Sequence, residues 1–184
     1  ENIGRVAECL GYKISELTVV ILDRERHDYL ISQVRKTGAR IHLIPDGDVS
    51  SAIATALPDT GINLLMGIGG APEGVLAAAA MRCLGGSMQG RLVLRSQEER
   101  IRAEKMGIVD INKVLNVDEI AKGEEIIFAA TGVTSGDLLP GVLFRADGAI
   151  TESLVLRQSS GTRRFIKSEH FYKEEYPEKI LDQE

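Results

Sequence analysis

The chain has few of the side chains that bind transition metals or build disulfide scaffolds. Among 184 residues there are only two cysteines and three histidines. Cys9 and Cys83 each lie in an apolar, helix-like stretch, and neither belongs to a CxxC pair or a Cys/His cluster. We therefore expect two buried, reduced thiols, and the scattered histidines argue against a zinc site.

Long apolar runs are also missing. No stretch approaches the roughly 20 apolar residues that span a bilayer, and no signal peptide pattern is visible. Hydrophobic residues make up 43% and charged residues 27%, which are values typical of a globular domain with a core. The net charge of −5 disfavours nucleic acid or an anionic membrane as a partner. We expect a cytoplasmic protein, in which a few local arginines or a metal could still bind a small anion.

Apolar runs of strand length alternate with helical patterns along the chain. Strands are predicted at residues 17–22, 40–44, 63–66, 90–94 and 124–130, with helices before and between them, which indicates a parallel sheet with helices on both faces. The helices are predicted at residues 2–10, from Tyr29 to a stop at Gly38, 49–57, 75–84 and 97–106. Farther on, residues 142–145 and 149–156 read as a hairpin, 162–167 as another strand, and 171–184 as a charged end that frays.

A glycine-rich turn follows the third predicted strand. Gly67, Gly69 and Gly70 precede Pro72 and Glu73, which suit the first turn of a helix. Glycines let a ligand approach the backbone, and the dipole at a helix N-terminus stabilises negative charge. A carboxylate in this position suits a hard metal ion that bridges to an anionic ligand.

Two other interpretations of this turn remain open. A dinucleotide fingerprint is disfavoured, because its third glycine and the acidic residue about 20 positions on are missing. Alternatively, Glu73 is simply a favourable first-turn residue without a ligand.

Chemically distinct side chains follow the predicted strands at their carboxyl ends, where open parallel sheets bind ligands. Any one of these groups is common in ordinary loops, but together they favour a phosphorylated, polyhydroxylated ligand. Arginines suit phosphates and paired aspartates suit sugar hydroxyls. The groups are Arg24, Arg26 and His27; Asp46 and Asp48; Gly69, Gly70 and Glu73; and Thr131, Thr134 and Asp137.

Four segments carry a family resemblance. They read LDRERH at 22–27, PDGDV at 45–49, GIGGAPEGV at 67–75 and ATGVTSGDLL at 130–139. They resemble the class II (GlpX-type) fructose-1,6-bisphosphatases, which include the bifunctional fructose-1,6-/sedoheptulose-1,7-bisphosphatases. The match continues through residues 151–154 and 162–164. It implies the layered α/β fold of the inositol-phosphatase-like superfamily, with a mostly parallel sheet, flanking helices and a C-terminal antiparallel hairpin.

The resemblance also implies a site. A metal ligand falls on Glu73, for Mg²⁺ or Mn²⁺, and the family usually has proline at position 25, so any contact there would come from backbone. The segment at 94–96 is shorter than in relatives, so a loop is expected to be absent. Substrate contacts fall on Arg24, Glu25, Arg26, Asp46, Gly47, Asp48 and Gly70.

The other metal ligands, and the residue that orients the attacking water, belong to an N-terminal half of the family pattern that is not in this sequence. Because the sequence starts at Glu1 rather than Met, we expect residues 1–184 to be the C-terminal sugar-phosphate-binding domain of a longer enzyme. That domain would be inactive alone. Its expected partners are its own N-terminal domain and further copies of itself, in a dimer or tetramer.

The leading hypothesis is metal-dependent hydrolysis of the 1-phosphate of fructose 1,6-bisphosphate to fructose 6-phosphate, in gluconeogenesis or the Calvin cycle. Two alternatives remain: a non-catalytic sugar-phosphate-binding domain, and a Rossmann-type oxidoreductase. The sequence alone does not choose between fructose and sedoheptulose bisphosphate.

Overall fold

The computed structural model describes residues 1–136 and 138–172. Its first sheet has three parallel strands in the order β2-β1-β3. The central strand is buried on both faces through Val19, Val20 and Ile21, as its continuous apolar run predicts. The strands are β1 (Thr18–Leu22), β2 (Arg40–Ile44) and β3 (Leu64–Leu65).

Helices cover both faces of this sheet. Residues of α1 (Asn2–Leu10) and α2 (Asp28–Thr37) pack on one face with Val19 and Ile21. On the other face, Ala54 of α3 (Asp48–Thr55) packs with Val20. The two faces follow from the alternation of side chains along β1.

A second, antiparallel sheet packs against the far side of α3 and against α4 (Ala71–Leu84). Leu154 and Leu156 of this sheet are fully buried, and they share a core cluster with Ile53 and Ala80 of the two helices. The central strand β8 pairs with the three others. The described chain is thus layered as helices, parallel sheet, helices and antiparallel sheet. The strands are β6 (Ile127–Thr131), β7 (Leu143–Arg145), β8 (Gly148–Arg157) and β9 (Thr162–Phe171).

The prediction of a mostly parallel sheet is wrong in two places. The strand expected at 124–130 is β6, which runs antiparallel to β8 in the second sheet. The strand expected at 90–94 is reduced to β4 (Gln89–Gly90), which pairs antiparallel with β5 (Leu115–Asn116). A short apolar run indicates a buried strand but carries no information on the direction of its neighbour. The hairpin prediction is confirmed by β7 and β8, and the further strand is confirmed as β9.

Residues 91–114, between β4 and β5, form what we call the α5 arm. It contains α5 (Gln97–Lys105), whose N-cap Ser96 accepts a hydrogen bond from the Glu99 N–H. After β5, the short helix α6 (Val117–Ile120) returns the chain to α4. Within the described part of the chain, no other helix or strand packs extensively on α5.

Both cysteines were predicted to be buried, and the prediction is wrong for Cys9. Cys9 is exposed, because α1 buries the face that carries Ile3 and Ala7, and a position two residues beyond Ala7 points away from it. Cys83 is half-buried against the second sheet, and burial raises the pKa of its thiol. Both are free thiols.

No helix in the described ranges is long and apolar enough to cross a membrane. In the charged segment predicted to fray, Phe171 ends β9 and the Tyr172 N–H donates to the Asp147 carbonyl, whereas residues 173–184 lie outside the described residues.

Candidate active site at the carboxyl edge of the parallel sheet

The candidate site lies where the chain reverses its winding direction. The β1–β2 connection runs through α2 on one face, and the β2–β3 connection runs through α3 on the other. The resulting order β2-β1-β3 places a topological switch point between β1 and β3. Open parallel sheets bind ligands outside the strand carboxyl ends at such a point.

Two arginines after β1 tie the three edge loops together. Arg24 donates to the carbonyls of Asp23 (2.9 Å) and Pro45 (2.6 Å), which links the loops after β1 and β2. Arg26 donates through Nε to the Ile68 carbonyl (3.0 Å), which links the loop after β1 to the glycine turn. Both side chains are exposed, and neither forms an ion pair with the residues described. The Nη groups of Arg26 therefore retain their donors for an anion.

His27 holds the glycine turn from inside. Its ring is buried, with Nδ1 2.8 Å from the Leu22 carbonyl and Nε2 2.8 Å from the Ile68 nitrogen. Because the Ile68 N–H can only donate, Nε2 is the acceptor and Nδ1 carries the proton. A Cβ on Gly67 would lie 3.2 Å from the ring, so glycine permits this approach. The prediction that His27 offers basic chemistry at the edge is wrong; it is a positioning residue.

Asp48 joins the second and third loops. Its Oδ1 accepts a hydrogen bond from the Val49 N–H (3.0 Å) at the start of α3. Its Oδ2 lies against the backbone of the glycine turn, since a Cβ on Gly69 would be only 2.7 Å away. Gly47 has φ 80°, a left-handed conformation that favours glycine, and it caps α3 next to the exposed Asp46. Gly69 is therefore required for the close packing of the loops after β2 and β3.

Glu73 lies in the first turn of α4, whose N-cap Gly70 provides no side-chain capping bond. A Cβ on Gly70 would collide with Oε2 of Glu73, so the carboxylate folds back over the glycine. The Glu73 side chain is exposed and has no hydrogen-bond or ion-pair partner within residues 1–136 and 138–172. It is an accessible carboxylate beside the unpaired N–H groups of a helix terminus.

The donor set fits a divalent cation only in part. The described residues contain no group of three or more His, Cys, Asp or Glu side chains placed to hold a metal. Mg²⁺ requires about six oxygen ligands, several of which are usually waters and substrate phosphates. Glu73 can therefore supply one ligand, and the described part of the chain does not form a complete metal centre.

The structure brings together every residue predicted to contact substrate or metal. Glu25 lies in an exposed 3-10 turn between the two arginines, and the others occupy the three edge loops. These residues are Arg24, Glu25, Arg26, Asp46, Gly47, Asp48, Gly70 and Glu73. Their roles in binding stay predictions.

Thr131 and Thr134 do not belong to this edge. Thr131 is the last residue of β6 and Thr134 follows it, and β6 is a strand of the antiparallel sheet, so the prediction that a fifth parallel strand delivers them is wrong. Asp137, which was predicted with them, lies outside the described residues.

Sequence reasoning missed the part played by Ile68. Its backbone N–H donates a hydrogen bond to His27 Nε2, and its carbonyl accepts one from Arg26 Nε. The contacts use main-chain atoms, so the identity of the side chain carries no signal for them. The nearest available signal was the position of Ile68 between Gly67 and Gly69 in the turn.

Comparison with known proteins identifies the family. The model of the bacterial fructose-1,6-bisphosphatase, glpX-encoded, matches residues 1–170. Two relatives carry the name D-fructose 1,6-bisphosphatase class 2/sedoheptulose 1,7-bisphosphatase. The one from Trichodesmium erythraeum (strain IMS101) is 47% identical over 186 residues, which cover 95% of this chain and 54% of the relative. The one from Synechococcus sp. (strain JA-3-3Ab) is 45% identical over 192 residues, which cover 98% and 55%.

The match covers nearly all of this chain but only part of each relative. The chain spans about half the length of the curated relatives it matches. Its own match is nearly complete and includes all three edge loops of the candidate site. The chain belongs to the family of glpX-encoded bacterial fructose-1,6-bisphosphatases.

Proposed function

We propose that this chain is the sugar-phosphate-binding part of a Mg²⁺- or Mn²⁺-dependent phosphatase that hydrolyses the 1-phosphate of fructose 1,6-bisphosphate. The observation that carries the proposal is the gathering of arginines, aspartates, glycines and Glu73 at one topological switch point. The names of the relatives support a sugar bisphosphate as the substrate. The proposed setting is the cytoplasm, in gluconeogenesis or the Calvin cycle.

In this proposal Arg24 and Arg26 bind the phosphate that does not react. Their backbone hydrogen bonds hold the guanidinium groups in place before the ligand arrives, which lowers the entropic cost of binding. Asp46 and Asp48 accept hydrogen bonds from the sugar hydroxyls. Gly70 and Gly47 let the ligand approach the main chain.

Glu73 is proposed to hold one position in the shell of a divalent cation. When bound, that cation would lower the pKa of a coordinated water and shield the phosphate charge. In this proposal Glu73 holds the metal next to the N-terminus of α4, and the two arginines hold the substrate phosphate farthest from the metal. The remaining ligands would come from a second part of the protein.

The antiparallel sheet supports the proposal that an N-terminal part completes the layered fold. Among the described residues, β6 and β9 each have one unpaired edge. Ile127, Phe144 and Ile166 all lie on the face that points away from the helices, spread along the length of β8, and all three are exposed. A segment like the one that the longer relatives possess would cover this face and extend the sheet.

A thermal-shift titration of the chain tests the binding proposal. At 100 times its Kd, a ligand adds about 2.7 kcal/mol to stability, which raises Tm by roughly 5–10 °C for a chain of this size. Stabilisation by fructose 1,6-bisphosphate that Mn²⁺ strengthens supports the phosphatase. Equal stabilisation with and without Mn²⁺ favours a non-catalytic binding domain, and no stabilisation at millimolar ligand contradicts both.

The same titration discriminates against the oxidoreductase. Stabilisation by NAD(H) alone would support it, although a Rossmann half has strand order 3-2-1 and this sheet has 2-1-3. Arg26→Ala should remove most of the fructose bisphosphate shift. The matched control is Arg35→Ala, which deletes the same charge at the opposite end of α2 and should leave the shift unchanged.

A further inference from the structure

The glycine turn has few hydrogen bonds to hold it in place. Within the described part of the chain, residues 67–69 form only two, and both use main-chain atoms of Ile68. The Ile68 N–H donates to His27 Nε2 (2.8 Å), and the Ile68 carbonyl accepts from Arg26 Nε (3.0 Å). Glycines on both sides of Ile68 leave the main chain free to move once these bonds are lost. Two side chains therefore determine where Ile68 lies.

These two side chains are consecutive in sequence but lie in opposite environments. Arg26 and His27 belong to one 3-10 turn, in which Arg26 is exposed and His27 is buried. The His27 ring is also held from its other nitrogen, because Nδ1 donates to the Leu22 carbonyl (2.8 Å) at the end of β1. The ring thus connects a core strand to Ile68, and Ile68 connects the ring to the guanidinium of Arg26.

The bond to Ile68 determines which edge of the Arg26 guanidinium is free. The Ile68 carbonyl occupies Nε, so the outer edge, with Nη1 and Nη2, keeps the paired donors that bind a phosphate in a bidentate way. The Arg26 side chain makes no ion pair and no other hydrogen bond with the residues described. If Ile68 moves, the guanidinium loses this bond and regains rotamer freedom that phosphate binding must then remove.

We propose that His27 is a positioning residue that sets the affinity of the site for a phosphate group without contacting that group. The effect passes through Ile68 to Arg26. It requires the neutral ring with its proton on Nδ1, because Nε2 must accept from the Ile68 N–H. The proposal rests on the proposed function, in which Arg26 binds the phosphate that does not react. It adds that the acceptor at Nε2, rather than the bulk of the ring, determines phosphate affinity.

Two substitutions separate this role from simple support of the fold. In His27→Gln, the side-chain oxygen can reach the position of Nε2 and accept from Ile68, whereas the bond to Leu22 is lost. In His27→Asn, the shorter amide can donate to Leu22, whereas the bond to Ile68 is lost. Each variant keeps one of the two bonds of the ring, so both should be less stable than wild type. Only His27→Asn releases the glycine turn.

Calorimetric titration of the 184-residue chain with fructose 6-phosphate tests the proposal, because this probe carries only the phosphate that does not react. We expect His27→Asn to weaken binding about tenfold and His27→Gln to stay within about threefold of wild type. The control His42→Asn makes the same change at an exposed position of β2 and should bind like wild type.

The outcomes distinguish a failure of this proposal from a failure of the proposed function. No binding by the wild-type chain, or equal binding by Arg26→Ala, overturns both. Binding that Arg26→Ala weakens but His27→Asn leaves unchanged overturns the role of His27 alone, and so does a His27→Gln variant that binds as weakly as His27→Asn. Long-range ¹H–¹⁵N NMR of the wild-type ring needs no variant: we expect the proton on Nδ1, and a neutral ring with its proton on Nε2 would overturn the proposal.

Discussion

At the residue scale, the edge of the parallel sheet contains two kinds of side chain. His27 uses both ring nitrogens within the protein, in bonds to Leu22 and Ile68. Asp48 accepts from the Val49 N–H through Oδ1 alone, so its Oδ2, next to Gly69, is the atom proposed to accept from a sugar hydroxyl. Glu73 has no partner within the part of the chain that the structure describes. A shaping residue should affect stability when it is changed, and a ligand-binding residue should affect activity.

If the proposed function is right, Glu73→Gln in the full-length protein should abolish most of kcat and leave the fold intact. The amide is nearly isosteric but uncharged, which makes it a poor ligand for a hard divalent cation. Removing the charge from the N-terminus of α4 should cost only about 0.3–1 kcal/mol of stability. Steady-state kinetics at varied Mn²⁺ and urea unfolding measure the two effects.

High Mn²⁺ should partly restore the rate of Glu73→Gln, because the change would weaken the proposed metal binding. Arg26→Ala serves as the comparison, since its proposed partner is the phosphate that does not react, and it should show no such rescue. Wild-type turnover by Glu73→Gln at limiting Mn²⁺ would leave Glu73 as an ordinary first-turn residue.

His27→Ala should destabilise the chain by about 2–5 kcal/mol. The change leaves a cavity and deprives the buried Leu22 carbonyl and the Ile68 N–H of their partners. Urea unfolding measures the loss, and His42→Ala, at an exposed position of β2, should cost less than about 0.5 kcal/mol. A loss below about 1 kcal/mol at His27 would contradict the assigned role.

At the scale of elements, apolar runs and capping residues predicted the first half of the chain well. β2 matches its predicted span, and Gly11 and Gly38 end α1 and α2 in left-handed conformations as expected. The partners of later strands could not be predicted, because the run at β6 reads the same whether its neighbour is parallel or antiparallel. Pairing direction depends on contacts far away in sequence, here with β8.

Arg82 shows how one side chain fixes an element. From the last turn of α4 it donates through Nη1 to the carbonyls of Ala121 and Gly123, both at 2.8 Å, and its Nε lies 2.9 Å from Asp118. These contacts hold α6 and the residues after it against α4. Both hydrogen bonds come from Nη1, and Nε contributes only its closeness to the Asp118 carboxylate.

Arg82→Met should therefore free α6 while keeping the aliphatic packing of the side chain. We expect faster hydrogen exchange over residues 117–123 and a loss of about 1.5–3 kcal/mol. Hydrogen-exchange mass spectrometry locates the change, with α2 as the internal reference. Uniform acceleration across the chain would instead indicate global destabilisation, and unchanged exchange at 117–123 would contradict the anchor.

At the scale of the whole molecule, the described residues form three interlocked edge loops but no complete metal centre. The residues that the resemblance singled out lie in the three edge loops, and their roles stay predictions, whereas the interlocking of these loops became visible only in the structure. The described residues hold no cluster of three metal-ligating side chains. Since the chain covers about half of its relatives' length, the proposed chemistry requires groups supplied by a second part.

The 184-residue chain alone should release no phosphate from fructose 1,6-bisphosphate, with or without Mn²⁺. A colorimetric phosphate assay measures this. Adding the remaining part of the Trichodesmium erythraeum relative in trans should produce Mn²⁺-dependent release if the halves assemble. Substantial release by this chain alone would place the whole active site within it.

The position of α3 between the two sheets has a consequence for how this chain can be divided. Ile53 contributes to the core with the antiparallel sheet, and its neighbour Ala54 contributes to the core with the parallel sheet. The same helix begins at Asp48, so one of the three edge loops is attached to both cores. Replacing one sheet alone would remove the contacts of α3 on that side. We therefore expect that neither sheet can be exchanged without destabilising α3 and the loop that precedes it.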